Sequence, residues 1–301
     1  SRAALKDRYV RPQITNSREG RISIHDGRHP MVEHALKREM FVPNDTELNH
    51  TDQEMIIITG PNMAGKSTYM RQVAVLTIMA QTGSFIPAKS ASFAPVDRIF
   101  TRVGAADDIS TGQSTFMVEM KEVSHILCNA TKNSLILLDE IGRGTSTYDG
   151  MSIARAVVEY LNSKVHAYTL FATHYHELSD MAAENEHIKN YTVTVKERGK
   201  EITFLRRIVP GSADKSYGIH VARLAGLPES LLKRADEILE GLEVEGIKEE
   251  PAAPVIRRKT ALNLFSSPII DELADLDVMS KTPIEAMEIL FRLSKEAKEG
   301  R

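Results

Sequence analysis

A single cysteine, Cys128, stands in 301 residues, so no disulfide can form within the chain and a reducing compartment suits it. No run approaches the ~20 apolar residues needed to cross a bilayer; the most apolar stretch, Val73 to Ala80, is far shorter. The opening Ser1-Arg2-Ala3-Ala4-Leu5-Lys6-Asp7-Arg8 holds no apolar signal core. Positive charge is lacking too. Lys and Arg number 38 against 41 Asp and Glu, a formal charge of −3, which argues against attachment to nucleic acid through overall positive charge. No repeat of solenoid or propeller period is visible. What is present is 42% hydrophobic residues, enough for an ordinary core, over a length that allows about two domains. The expectation is a soluble cytoplasmic protein with no membrane partner.

Arg21-Ile22-Ser23-Ile24-His25 alternates like a half-buried strand. Three later runs, Met55–Thr59, Leu135–Leu138 and Thr169–Thr173, are apolar enough to be buried on both faces. Each precedes a helical pattern, which predicts an α/β fold with a mostly parallel sheet and crossover helices. Helical spacing covers Lys66 to Gln81 through Met70, Val73, Ala74 and Ile78, and Ser114 to Leu127 through Met117, Met120, Val123 and Leu127. Gly150 to Leu161 reads the same way. The methionines and Cys128 fall at core spacing. Tyr191–Val195 and Ile202–Leu205 alternate around Arg198-Gly199-Lys200, a hairpin, and Leu231, Ala235, Ile238 and Leu242 mark an amphipathic helix after Pro228. Residues 246–268 read as a flexible linker rich in charge and proline. Residues 269–301 read as a small helical module, with a capping box at Thr282-Pro283-Ile284-Glu285.

The chemistry concentrates at two places. Gly60-Pro61-Asn62-Met63-Ala64-Gly65-Lys66-Ser67 fits G-x-x-x-x-G-K-[ST] between a buried strand and a helix. In such a loop the glycines let backbone N–H groups turn inward on a phosphate, the lysine reaches the β- and γ-phosphates, and Ser67 ligates Mg²⁺. Leu135-Ile136-Leu137-Leu138 then ends in Asp139-Glu140. Asp139 is placed to hold the metal, and Glu140 to act as general base on the attacking water. Ser114 reads from pattern as a helix N-cap that could also meet a phosphate oxygen. His174, after the third buried strand, reads as a sensor of the γ-phosphate. His176 and Glu177 are nearby, yet no H-E-x-x-H motif or cysteine accompanies them to suggest zinc.

These residues resemble the ATPase domain of the MutS family of DNA mismatch-repair proteins, a branch of the ABC-type P-loop ATPases. The likeness runs from about Ile22 to Leu242. It rests on Gly27-Arg28-His29-Pro30, the loop from Thr59, Phe100 to Asp108, Ser114 to Met120, Asp139 to Thr147, Ala172-Thr173-His174-Tyr175 and Lys215-Ser216-Tyr217-Gly218. The resemblance implies an Mg-dependent ATPase, binding ATP and ADP, at residues 21–245, with residues 1–20 a segment preceding it. It implies a head-to-tail homodimer in which Ser114 acts on the partner's nucleotide and Arg143 lies at the interface. Asn62 would order the loop, Phe41 would stack on adenine beside Val42, and Thr68 would complete the nucleotide contacts. Ala64 departs from a glycine common in relatives without disturbing the spacing.

In such a protein, closing of the dimer on ATP would turn a mismatch scanner into a sliding clamp. Mismatched DNA would be reached through N-terminal domains that this stretch lacks, alongside other mismatch-repair proteins, in a bacterial, nucleoid-associated setting. Residues 269–301 resemble the family's oligomerisation module. Ala261-Leu262-Asn263-Leu264-Phe265 resembles a sliding-clamp-binding peptide, with Ala261 where glutamine is usual. Two other readings stand beside this one. A transporter ATPase subunit expects Leu-Ser-Gly-Gly-Gln where this chain has Ile109-Ser110-Thr111-Gly112-Gln113. A dimerisation and docking module with little turnover would work through residues 246–301.

Overall fold

The computed structural model describes residues 2–246, apart from 17–19, 37–39, 62–63, 104–113, 199–200 and 213–216. The clamp-like peptide and the 269–301 module lie outside the described residues, as do Asn62, Met63 and most of the motif that begins at Phe100. The chain divides into two units, Ser1–Leu239 and Glu240–Arg301, and the architecture below belongs to the first, except for the last residues of its final helix.

Two sheets and eight α-helices are found among the described residues. In chain order they run α1 (Arg2–Lys6), β1 (Gln13–Ile14), β2 (Arg21–Gly27), α2 (Pro30–Ala35), β3 (Asn44–Asn49), β4 (Met55–Thr59), α3 (Lys66–Gln81), β5 (Ser90–Phe93) and β6 (Ile99–Val103). Then follow α4 (Thr115–Asn129), β7 (Leu135–Asp139), α5 (Thr147–Tyr160), β8 (Tyr168–Ala172), α6 (Met181–Glu184), β9 (Ile188–Arg198), β10 (Glu201–Pro210), α7 (Gly218–Leu224) and α8 (Glu229–Gly246). The large sheet has the order β10-β9-β4-β8-β7-β6 and the small one β1-β5-β2-β3. Every pairing in the large sheet is parallel except the β9–β10 hairpin.

The apolar runs explain the layering. Successive strand residues point to opposite faces, so Ile56, Ile58, Leu135, Leu137, Leu170 and Ala172 join one core with Ile22, Ile24, Phe93 and the buried side of α3. Met55, Ile57, Ile136, Leu138 and Phe171 face the other core, closed by α4 and α5. Because each central strand feeds both cores, it carries no polar alternation. The strand and helix flanking the phosphate loop take the predicted bounds, Met55–Thr59 and Lys66–Gln81.

Several expectations need correction. Ile78 is 52% exposed, because α3 is covered over most of its circumference and Ile78 falls with Arg71 on the narrow uncovered strip. On α4 the buried residues are Glu119, Val123 and Ile126. Met117 and Cys128 each lie two residues from a member of that stripe, ~200° around the helix, and both are exposed. Cys128 is therefore not a core thiol, and Met117 is not packing. The helix expected over Gly150–Leu161 begins earlier, at Thr147, where the Ser146 hydroxyl caps the Asp149 N–H. It runs on as a π turn to Val165 and stops at His166, which takes a left-handed φ of 58°. Finally, Gln13 and Ile14 pair with Ser92 and Phe93, so the small sheet draws on residues ahead of Arg21.

Candidate nucleotide site

The site forms where β4, β7 and β8 end, the edge at which open α/β sheets gather ligands. Past Thr59 the backbone turns through Gly60 at φ +127° and Gly65 at φ +108°, conformations that side-chain-bearing residues reach only with strain. Gly65 is the N-cap of α3 and offers no side-chain cap. The N-terminal turn of α3, with the partial positive charge of its N–H groups, therefore faces the loop. Ala64 is fully buried in the core under the loop, which accommodates its methyl group.

A cavity of 290 Å³ opens there, lined by Pro61, Gly65, Lys66, Ser67 and Thr68 on one side and by Asp139, Glu140 and Arg143 on the other. Lys66 is buried, and its ammonium group donates to the carbonyl oxygens of Gly60 and Pro61. Burial draws its pKa down, while Glu140 and Asp139 push it back up. Asp139 is held the opposite way: burial raises its pKa, and a hydrogen bond from the Ser67 hydroxyl opposes the rise. Ser67 and Asp139 are hard oxygen donors already in contact, a pair whose chemistry fits a magnesium ion.

Glu140 sits at φ +55°, an uncommon conformation for a residue with a side chain. Its N–H donates to the Ala172 carbonyl at 2.9 Å and so ties it to the end of β8. Its carboxylate receives the Arg143 guanidinium, whose side chain is 64% exposed at the cavity mouth. Arg143 thus meets Glu140 within its own chain.

His174 and Ser114 do not line this cavity. His174 follows β8 with its ring 4.1 Å from that of Tyr175. Desolvation lowers its pKa, Arg143 and Lys66 repel the protonated ring further, and Glu140 opposes them. The balance favours the neutral imidazole. Ser114 is the N-cap of α4, its Oγ accepting the Met117 N–H at 3.2 Å, and it is exposed. The bland half of its sequence reading is what the geometry contains.

A second cavity, of 170 Å³, shares Gly65 and Thr68 with the first and is lined by Phe41, Val42, Val32, Leu36, Asn44, Tyr69, Gln72 and Arg206. Phe41 and Val42 therefore sit beside the phosphate loop, in the adjoining pocket. Sequence reasoning missed Asn44 and Arg206. The Asn44 side chain donates to the carbonyls of Val42 and Arg206 and accepts the Ile208 N–H at 2.7 Å. It thereby fastens the Phe41-Val42 segment to β10, where Arg206 occupies a bulge at φ +57°. For Arg206 the available signal was the pair Arg206-Arg207 interrupting the alternation of β10; for Asn44 there was none.

The turn after Glu140 has no slack. A Cβ on Gly142 would lie 2.4 Å from the Gly150 carbonyl oxygen, and its φ is +89°. Gly142→Ala is expected to cost roughly 3 kcal/mol or more. At ~2–4 °C per kcal/mol that lowers Tm by ~6–12 °C, which thermal melting would register; an unchanged Tm would contradict the packing described.

A sequence profile of MutS domain V matches residues 56–243. The chain is 53% identical to the DNA mismatch repair protein MutS of Methanococcoides burtonii, over 99% of this chain and 35% of that protein. It is 55% identical to the protein of the same name from Caldicellulosiruptor bescii, over 98% of this chain and 35% of that one. The chain thus spans about a third of the length of these relatives. No helix among the described residues is long and apolar enough to cross a membrane. A profile over most of the chain and identities above one half make this chain a member of the MutS family of DNA mismatch repair proteins.

Proposed function

We propose that the chain is the ATP-binding and ATP-hydrolysing dimerisation domain of a MutS-type mismatch-repair protein. The observation that carries the reading is the cavity in which Lys66 and Ser67 face Asp139 and Glu140. On this reading the triphosphate lies along the N-terminal turn of α3, its β- and γ-oxygens met by loop N–H groups and by Lys66. Ser67 and Asp139 hold Mg²⁺, which when bound neutralises charge developing on the phosphate oxygens. Glu140 takes the proton of the attacking water and orients it, its carboxylate steadied by Arg143. His174 donates a hydrogen bond to the γ-phosphate. Phe41 stacks on adenine with Val42 beside it. Asn62, Met63, Pro61, Ala64 and Thr68 complete the loop around the nucleotide.

The face carrying Ser114 and Arg143 would meet a second copy, so that each nucleotide lies between two chains and ATP closes the dimer. Residues 21–245 would form this domain and residues 269–301 would extend the oligomer. Mismatched DNA and further repair proteins would be engaged by the longer protein of which this stretch resembles a third. Sliding-clamp binding would fall to Ala261–Phe265.

Two measurements test this. Specific ATPase activity should rise with protein concentration, because sites shared between chains exist only in the dimer; constant activity in material that light scattering shows to be monomeric would contradict it. Phe41→Ala should raise KM for ATP about tenfold with kcat little changed, since base stacking and ring burial contribute ~1–2 kcal/mol. An unchanged KM would remove Phe41 from the nucleotide site.

A further inference from the structure

We infer that Glu119 is a positioning residue for hydrolysis, tying the helix that presents Ser114 to the loop that carries Glu140. This rests on the ATPase reading above and concerns a residue that reading leaves out. Glu119 lies on α4, five residues and ~7.5 Å along the axis from Ser114. It is 5% exposed. One carboxylate oxygen accepts the Gly142 N–H at 2.6 Å, and the other lies 3.4 Å from the Arg102 guanidinium. Arg102, itself 7% exposed, also pairs with Glu122 at 3.0 Å. The next peptide is held as well: the Tyr175 hydroxyl donates to the Gly142 carbonyl at 3.1 Å. Tyr175 is the neighbour of His174.

The Gly142 region is therefore gripped from α4 at its N–H and from the His174 segment at its carbonyl, two residues after Glu140. Gly144 also passes close to the start of α4, where an added Cβ would lie 3.0 Å from that of Phe116. A buried ion pair adds little net stability over an apolar pair of the same volume. What this one supplies is direction, because a charge-assisted hydrogen bond fixes the peptide it holds. A shift of α4 when Ser114 engages a nucleotide on the partner chain would pull on the Gly142 N–H. It would thereby reset Glu140 against this chain's own nucleotide. Each site would be informed of the other's occupancy through one carboxylate.

The test is steady-state ATP hydrolysis, with ATP calorimetry alongside, on the 301-residue chain carrying Glu119→Gln, Glu119→Asp, Ser114→Ala, or the last two together. Glu119→Gln keeps an acceptor for the Gly142 N–H but loses the charge opposite Arg102, and should lower kcat less than Glu119→Asp does. Glu119→Asp keeps the charge beside Arg102 but withdraws the acceptor from Gly142 by one carbon–carbon bond. It should lower kcat about tenfold or more with KM and nucleotide affinity unchanged, as misplacement of a catalytic group does. A merely structural role would instead lower the fraction of chains that bind nucleotide. Because Ser114 and Glu119 act along one path, the double variant should be no slower than the slower single one, whereas independent effects would multiply. Parent-like kcat in Glu119→Asp, or a multiplicative double variant, overturns the inference while leaving the ATPase reading intact. No hydrolysis by the parent chain overturns both.

Discussion

Glu140→Gln should leave ATP bound and slow its hydrolysis by ~10²–10⁴-fold, the contribution typical of a positioned general base. The substitution preserves shape, and the Glu140 N–H bond to the Ala172 carbonyl belongs to the backbone and survives. A glutamine can still accept from Arg143. What disappears is the capacity to take a proton at the wall of the cavity. Because Lys66, Ser67 and Asp139 are untouched, affinity for ATP should hold or rise, one negative charge having left the neighbourhood of the phosphates. Single-turnover hydrolysis by chemical quench, beside a nucleotide-binding measurement, separates the two quantities. Hydrolysis at the parent rate would remove Glu140 from the mechanism, and loss of binding would recast it as part of the phosphate cradle.

Lys66→Met should act the other way, abolishing tight binding while leaving the fold intact. Methionine keeps the aliphatic volume of the buried stem and deletes only the ammonium group. That group is desolvated at a cost, which its lowered pKa records, and its partners in the described geometry include the Gly60 and Pro61 carbonyls. Deleting it relieves that desolvation but leaves the Gly60 and Pro61 carbonyls without this donor, so Tm should fall modestly while the protein stays folded. Losing charge-assisted hydrogen bonds to two phosphates should weaken ATP by roughly 10²-fold or more, at ~1.5–3 kcal/mol for each such bond. Wild-type affinity in a folded Lys66→Met protein would show that the phosphates lie elsewhere.

How much could be read in advance followed from where apolar side chains point. β4, α3 and the end of β7 were legible because one buried run, one glycine loop and one acidic pair sit in a fixed order along the chain. β3 was not legible. Its inward residues are Asn44, Thr46 and Leu48, and the first two are buried through hydrogen bonds rather than through apolarity, so no hydrophobic period marks them. Glu119 was hidden in the same way: on a helix it reads as solvent-facing, yet Arg102 and the Gly142 N–H pay for its burial. Ile78 was misassigned for the converse reason, since a helix covered on most sides has no polar face against which to judge its period. The phosphate side of the site was visible because its chemistry is local in sequence. On the base side only Phe41 and Val42 were anticipated, through the family resemblance, because Asn44, Gln72 and Arg206 meet only after β10 returns beside the small sheet.

Titration calorimetry of ATP into the parent chain, with magnesium and then with a chelator, addresses the central claim most directly. If the loop at Lys66 and the pocket at Phe41 hold the two ends of one adenine nucleotide, uptake should approach one ATP per chain, strengthen with magnesium and be competed by ADP. Well-folded protein that takes up neither nucleotide under either condition would contradict the account at its base.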